Sequence, residues 1–198
     1  MNENRQTRDQ TRRLVEAITG ASGVILGIRL LEILRTLDIE SHLVLSPAAH
    51  ATIAQETDRK ISNVQKLADF NYNHQDIGAA IASGSFSTMG MIVIPCSIKT
   101  LSAIANSYAD DLITRAADVT LKEGRPLLLV VRETPLHRGH LRLMSLAAEA
   151  GSIIFPPVLA FYARPESLDD MIDNTVGRAL ARLGIENTGY MQWNGMEK

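Results

Sequence analysis

The strongest constraint on this chain is a set of segments that stay apolar over their whole length, each released into a helical pattern. Met91-Ile92-Val93-Ile94-Pro95 and the run from Pro126 to Val131 show no polar–apolar alternation. A sheet with one wet face alternates along each strand, whereas uninterrupted apolar runs need cover on both faces. Between the runs the period changes. Val24, Ile28, Leu31 and Leu34 recur at helical spacing with Arg29, Glu32 and Arg35 among them, an amphipathic helix. Strands are expected over 14–19, 41–45, 91–95, 126–131 and 152–155. Helices are expected from 24, over 47–56, from about 99, and over 108–123, 138–150 and 167–183, with Ser167 as the last N-cap. Residues 57–90 read as mostly irregular with one short helix. The alternation predicts an α/β fold, a doubly wound parallel sheet, in one domain over 14–185. Residues 1–13 read as a mobile tail and 186–198 as a tail covering the site or a neighbouring subunit.

Charge and cysteine content narrow the function. Twenty Lys and Arg face 22 Asp and Glu, a net charge of -2, which lacks the electrostatic footprint of a nucleic-acid binder. The single cysteine, Cys96, cannot form an internal disulfide and suits a reducing, cytoplasmic setting. The histidines at 42, 50, 74, 137 and 140 show no metal-ligand spacing, so no metal is expected. The longest apolar stretch, 153–163, is broken by Pro156 and Pro157 and falls short of the ~20 residues a bilayer requires. The polar start has no apolar core of a secretory signal.

In doubly wound folds ligands sit beyond the carboxyl ends of the strands. Four loops qualify. Gly20-Ala21-Ser22-Gly23 opens a helix after a strand, the form of an anion-binding turn, and fits a ligand-free turn as well; it is neither a dinucleotide fingerprint nor a Walker A motif. Ser46 precedes a helix whose first turn holds Pro47. Pro95-Cys96-Ser97-Ile98-Lys99-Thr100 is a small-residue turn in which Cys96 reads better as a buried thiol than as a nucleophile. Arg132-Glu133-Thr134-Pro135 places an Arg and a Glu at the end of a wholly apolar strand, where a carboxyl beside cations suits acid/base chemistry or merely closes a polar turn. The hydroxyl-rich 83–88 segment reads as a flexible loop or a phosphate loop. Arg115 and Lys122, seven apart on one helix, read as a solvated face with Asp118 and Glu123. Trp193 lies beyond the last helix in a polar segment, where it covers a pocket or meets another subunit.

The ordered set of strings Thr19-Gly-Ala-Ser-Gly23, Leu45-Ser-Pro-Ala-Ala49, Ala82-Ser-Gly-Ser85, Pro95-Cys-Ser97, Leu112-Ile-Thr-Arg-Ala-Ala-Asp-Val119 with Leu121-Lys122, Val131-Arg-Glu-Thr-Pro135, Phe161-Tyr162 and Thr175-Val-Gly-Arg178 resembles the flavin prenyltransferase (UbiX-like) family over residues 14–193. The Cys-Ser-Ile-Lys-Thr form most resembles the branch associated with phenolic acid decarboxylase operons. The resemblance implies a flavodoxin-like (Rossmann-type) subunit, a homododecamer, and FMN held between subunits. It implies transfer of a dimethylallyl group from dimethylallyl monophosphate to N5 and then C6 of reduced FMN, the product serving a UbiD-type decarboxylase. It assigns FMN to Gly20, Ala21, Ser22, Ser46, Ser97, Thr100 and Arg115, and the donor phosphate to Lys122, Arg132, Tyr162 and Arg178. Ser22, Glu133 and Trp193 take catalytic roles: a hydrogen bond near N5, proton transfer, and a π face for an allylic cation. Prenyl transfers commonly use Mg²⁺ on paired Asp-rich motifs. Asp110-Asp111 and Asp169-Asp170 lack the second half, and a cationic clamp does that work without metal. Ser107 stands where the family commonly has Gly, Asp111 where it has Asn, and Lys99 where a small residue is frequent. Two other readings stay open: an FMN-dependent cysteine decarboxylase with His50 as a candidate base, and a non-catalytic FMN-carrier subunit.

Overall fold

The computed structural model describes residues 12–193 and Gly195. Six strands form one parallel sheet: β1 (Arg13–Ile18), β2 (Glu40–Leu45), β3 (Phe70–Tyr72), β4 (Gly90–Cys96), β5 (Leu127–Val131) and β6 (Ile153–Ile154), in the order β3-β2-β1-β4-β5-β6. Seven α-helices are described: α1 (Val24–Leu34), α2 (Pro47–Glu56), α3 (Ile61–Gln65), α4 (Ile98–Ala105), α5 (Leu112–Lys122), α6 (Arg138–Glu149) and α7 (Leu168–Arg182).

The unbroken apolar runs have the expected consequence. In β1, β4 and β5 alternate residues enter different cores on opposite faces of the sheet. Val15, Ala17, Met91, Val93, Leu127 and Leu129 pack with Leu101, Ile104, Ile113 and Ala116 of α4 and α5 and with Leu143 of α6. Leu14, Ile92, Ile94, Leu128 and Val130 pack with Leu26 and Leu30 of α1 and with Val176 and Leu180 of α7. Ile18 and Leu43 pack with α1, α2 and α3. No helix among the described residues is long and apolar enough to cross a membrane.

Three expectations need correction. Residues 57–90 are more ordered than read, holding α3, the edge strand β3 and a 3-10 turn at Ala80–Ala82. A three-residue edge strand makes too short a pattern to stand out. The helix expected from 108 begins at Leu112, because Asp111 caps it: its Oδ1 accepts from Thr114 N at 2.8 Å. The apolar run at 14–19 hides a charge-bearing side chain. Glu16 is 0% exposed, and neither carboxylate oxygen has a hydrogen-bond partner among the described residues.

Of the expected tails, 1–11, 194 and 196–198 lie outside the described residues. Arg13 is already in β1, where its Nε donates to Glu40 Oε1 at 2.7 Å. Beyond α7 the chain turns back along that helix: Asn187 Nδ2 donates to Gly177 O at 3.0 Å. A Cβ on Gly177 would lie 2.8 Å from Gly189 C, so this close return needs glycine there.

Candidate active site

The strand order reverses direction between β1 and β4. After β1 the chain builds outward through β2 and β3; it then crosses to β4 and builds the other way. The crevice at such a switch point is where an open α/β sheet binds its ligand. Three expected loops meet there, each at the head of a helix. Gly20 to Gly23 leads into α1, Ser46 caps α2, and Ser97 caps α4. Ser46 Oγ accepts from Ala49 N at 3.1 Å, and Ser97 Oγ accepts from Thr100 N at 3.3 Å and lies 3.1 Å from Thr100 Oγ1. Ser46 N donates to Ile18 O at 3.0 Å. Gly20 is pressed against α2, where a Cβ would meet Ala48 Cβ at 2.3 Å. Ser22 is exposed, and its hydroxyl has no hydrogen-bond partner among the described residues.

The head of α1 differs from the other two. Gly23, at φ 95°, occupies its N-cap position and has no side chain to cap with. Glu56, from the far end of α2, supplies the acceptor: its Oε2 takes Gly23 N at 2.8 Å and Val24 N at 3.3 Å. Sequence reasoning missed Glu56. Thirty-three residues separate it from Gly23, and no local pattern marks the contact.

Cys96 is fully buried, and burial pushes its thiol up to about 12, which suits packing rather than nucleophilic attack. Arg115, in the first half of α5, pairs with Asp118 at 3.0 Å and is partly exposed.

The cationic residues divide into groups. Tyr162 and Arg178 are together: Arg178 Nη1 donates to Tyr162 Oη at 3.4 Å. Trp193 packs edge-on against Tyr162, with ring centroids 5.7 Å apart. Tyr162 and Arg178 border a cavity of about 320 Å³ with Phe155, Val158, Leu159 and Asn174. Arg132 and Glu133 follow β5 at its carboxyl end, and Arg132 N donates to Cys96 O at 3.1 Å. Both side chains are exposed in the single chain. Glu133 Oε1 accepts from Thr134 N at 2.9 Å, and Glu133 forms no ion pair with Arg132 among the described residues. Within one chain Glu133 is therefore an open carboxyl at the end of β5, not one enclosed beside cations.

Lys122 stands apart. It ends α5, pairs with Glu123, and lies against Gly84, whose carbonyl is held by Arg125 just ahead of β5. Lys122 and Arg132 thus sit at opposite ends of β5, separated by the length of a five-residue strand, about 16 Å at ~3.3 Å per residue. One chain holds all the expected residues but does not close them into one clamp.

These residues fit a planar cofactor with a phosphate tail. Three helix heads meet at one crevice, with the hydroxyls of Ser22, Ser46, Ser97 and Thr100 among them, and Glu56 already takes Gly23 N and Val24 N at the head of α1. No group of three or more His, Cys, Asp or Glu able to hold a metal occurs among the described residues.

Comparison with known proteins agrees with this geometry. The Flavoprotein family profile matches residues 2–178. The chain is 57% identical to flavin prenyltransferase UbiX of Escherichia coli K12 over 187 residues, which is 93% of this chain and 99% of that protein. It superposes on AnUbiX (PadA1), solved in complex with FMN and dimethylallyl pyrophosphate, with a TM-score of 0.93 and 52% identity, over 95% of this chain and 100% of that one. It superposes on a dodecameric FMN-dependent UbiX-like decarboxylase from Escherichia coli O157:H7 with a TM-score of 0.90 and 48% identity, over 92% and 100% of the two chains.

Proposed function

The chain belongs to the Flavoprotein family, among its UbiX-type flavin prenyltransferases, and from that premise we infer that it joins a dimethylallyl group to N5 and C6 of reduced FMN. The observation that carries this reading is the crevice at the β1/β4 switch point, in a chain that shares its fold and about half its residues with a protein bound to FMN and dimethylallyl pyrophosphate. The same likeness favours prenyl transfer over cysteine decarboxylation or a bare carrier role.

Reduced FMN supplies the two nucleophilic atoms. The chain's own residues do the rest. Ser22, Ser46, Ser97, Thr100 and Arg115, with the amides of Gly20 and Ala21, hold and orient the flavin. As the allylic C–O bond breaks, phosphate leaves with the electron pair and charge grows on its oxygens. Arg132, Arg178 and Lys122 stabilise that charge, and Tyr162 donates a hydrogen bond to it. The exposed face of Trp193 stabilises the complementary allylic cation. Glu133 accepts a proton displaced from the flavin or hands one to the phosphate.

Lys122 reaches this site from a second copy of the chain, because its own Arg132 is a strand's length away. The enzyme is accordingly a homo-oligomer, a dodecamer by likeness to its relative. We take dimethylallyl monophosphate as the donor, on the resemblance to the family alone, and a UbiD-type decarboxylase as the recipient of the product.

Incubation with reduced FMN and dimethylallyl monophosphate in the presence of EDTA, followed by mass spectrometry of the flavin, tests the reading. A flavin carrying one added C5 unit is expected. Bound but unmodified FMN would overturn it in favour of a carrier. A parallel reaction with the pyrophosphate ester that runs faster would overturn the choice of donor.

A further inference from the structure

Resting on the flavin site proposed above, the geometry points to Thr19 as a positioning residue that sets the spacing of the two loops flanking the flavin. The β1–β4 ladder ends at the pair Ala17 and Val93, before either loop begins. Beyond it the regular pairing stops, and the register of β4 against β5 also slips between Val93 and Cys96. Thr19, 1% exposed, spans the gap. Its Oγ1 donates to Pro95 O at 2.7 Å and accepts from Ser97 N at 2.9 Å, while its own N donates to Pro95 O at 3.3 Å. One hydroxyl thus uses both its donor and its acceptor capacity to tie the turn carrying Ser22 to the N-cap of α4.

The position of this tie matters. Thr19 precedes Gly20, and Ser97 sets the first turn of α4 through Thr100. Loss of the hydroxyl leaves the partly buried Ser97 amide unpaired and leaves Pro95 O only the longer bond from Thr19 N, and the cheapest relief is for the two loops to move apart and admit water. That movement would widen the crevice between Ser22 and Ser97. Thr19 itself touches no substrate; it acts through the loops.

The test compares Thr19→Val, which keeps the shape and removes the hydroxyl, with Thr19→Ser, which keeps the hydroxyl. Each assembled protein is titrated with FMN by visible absorbance and flavin fluorescence, and single-turnover adduct formation is then followed. Thr19→Val is expected to bind FMN about tenfold more weakly, with a shifted bound-flavin spectrum and slower adduct formation, and Thr19→Ser to stay within about twofold of wild type. Wild-type affinity, spectrum and rate in Thr19→Val would overturn the assignment. Should Thr19→Val melt below the assay temperature, Thr19→Ala, which leaves room for a bridging water, is judged against Thr19→Ser by the same readouts. Equal behaviour of those two would also overturn it. A wild-type protein that binds no FMN would instead overturn the functional reading on which the assignment rests.

Discussion

Single side chains in this protein are best understood by what they pair with. Glu133 makes a local contact to Thr134 N and is otherwise open, so it is free to exchange protons with whatever enters beside it. Glu133→Gln keeps its shape and removes its basicity. It should bind FMN and donor normally yet slow turnover by roughly 10²–10⁴-fold, measured as single-turnover adduct formation. Wild-type rates would reduce Glu133 to a turn residue. Ser107 is a different case. It stands at φ 52° after α4, in the left-handed region that costs any residue with a Cβ. This explains physically why glycine is common at the position. Ser107→Gly should stabilise the fold by up to about 1 kcal/mol, the relief of backbone strain being partly offset by a freer unfolded chain. Thermal melts of the two proteins check this. The Asp at 111 causes no loss, because as an N-cap it does what Asn would do.

Among the elements, β1 carries the largest unresolved cost. Glu16 alternates with Val15 and Ala17, so it shares the face of Leu14 and Ile18 beneath the α1 layer, where its carboxylate has no hydrogen-bond partner among the described residues. Burial raises its carboxyl well above the usual carboxylate range. A raised carboxyl binds its proton more tightly in the folded state than in the unfolded one. Its favourable contribution is whole below the unfolded value of ~4.3 and is lost as pH rises toward the folded value. Glu16→Val should therefore raise the melting temperature, and the gain should be larger at pH 8 than at pH 5, amounting to about 1–3 kcal/mol at neutral pH. An unchanged or smaller gain at pH 8 would mean that Glu16 finds a partner in the assembled protein.

On the scale of the whole molecule, the proposed clamp, with Lys122 and Arg132 a strand's length apart in one chain, would make activity a property of the assembly. Lys122→Ala and Arg132→Ala should each be nearly inactive alone. When the two are unfolded and refolded together, sites that draw Arg132 from one protomer and Lys122 from another regain both cations. Random mixing should restore about a quarter of the sites. No recovery from mixed oligomers would mean that both residues act within one chain, or that they serve different ends. The exposed apolar side chains of the 158–168 segment, Val158 at 79%, Phe161 at 69% and Leu168 at 70%, agree with a surface that another copy covers.

Local chemistry and periodicity carried most of the fold. Runs such as Leu127–Val131 can only be buried on both sides, and Ser46, Ser97 and Ser167 announce helix starts through the amides they cap. The candidate site was legible as far as ordered motifs reach, since each such residue lies in a short string at a strand's end or on a helix. What needed the folded chain was every relation between distant segments. Glu56 at the head of α1, Thr19 bridging to Pro95 and Ser97, and Lys122 at the wrong end of β5 for its own Arg132 are pairings set by strand order and helix direction. Glu16 shows the same limit from the other side. Its neighbours in sequence mark it as a strand residue, but only the closed sheet shows that its carboxylate is buried without a hydrogen-bond partner among the described residues, because burial and pairing are properties of packing and not of composition.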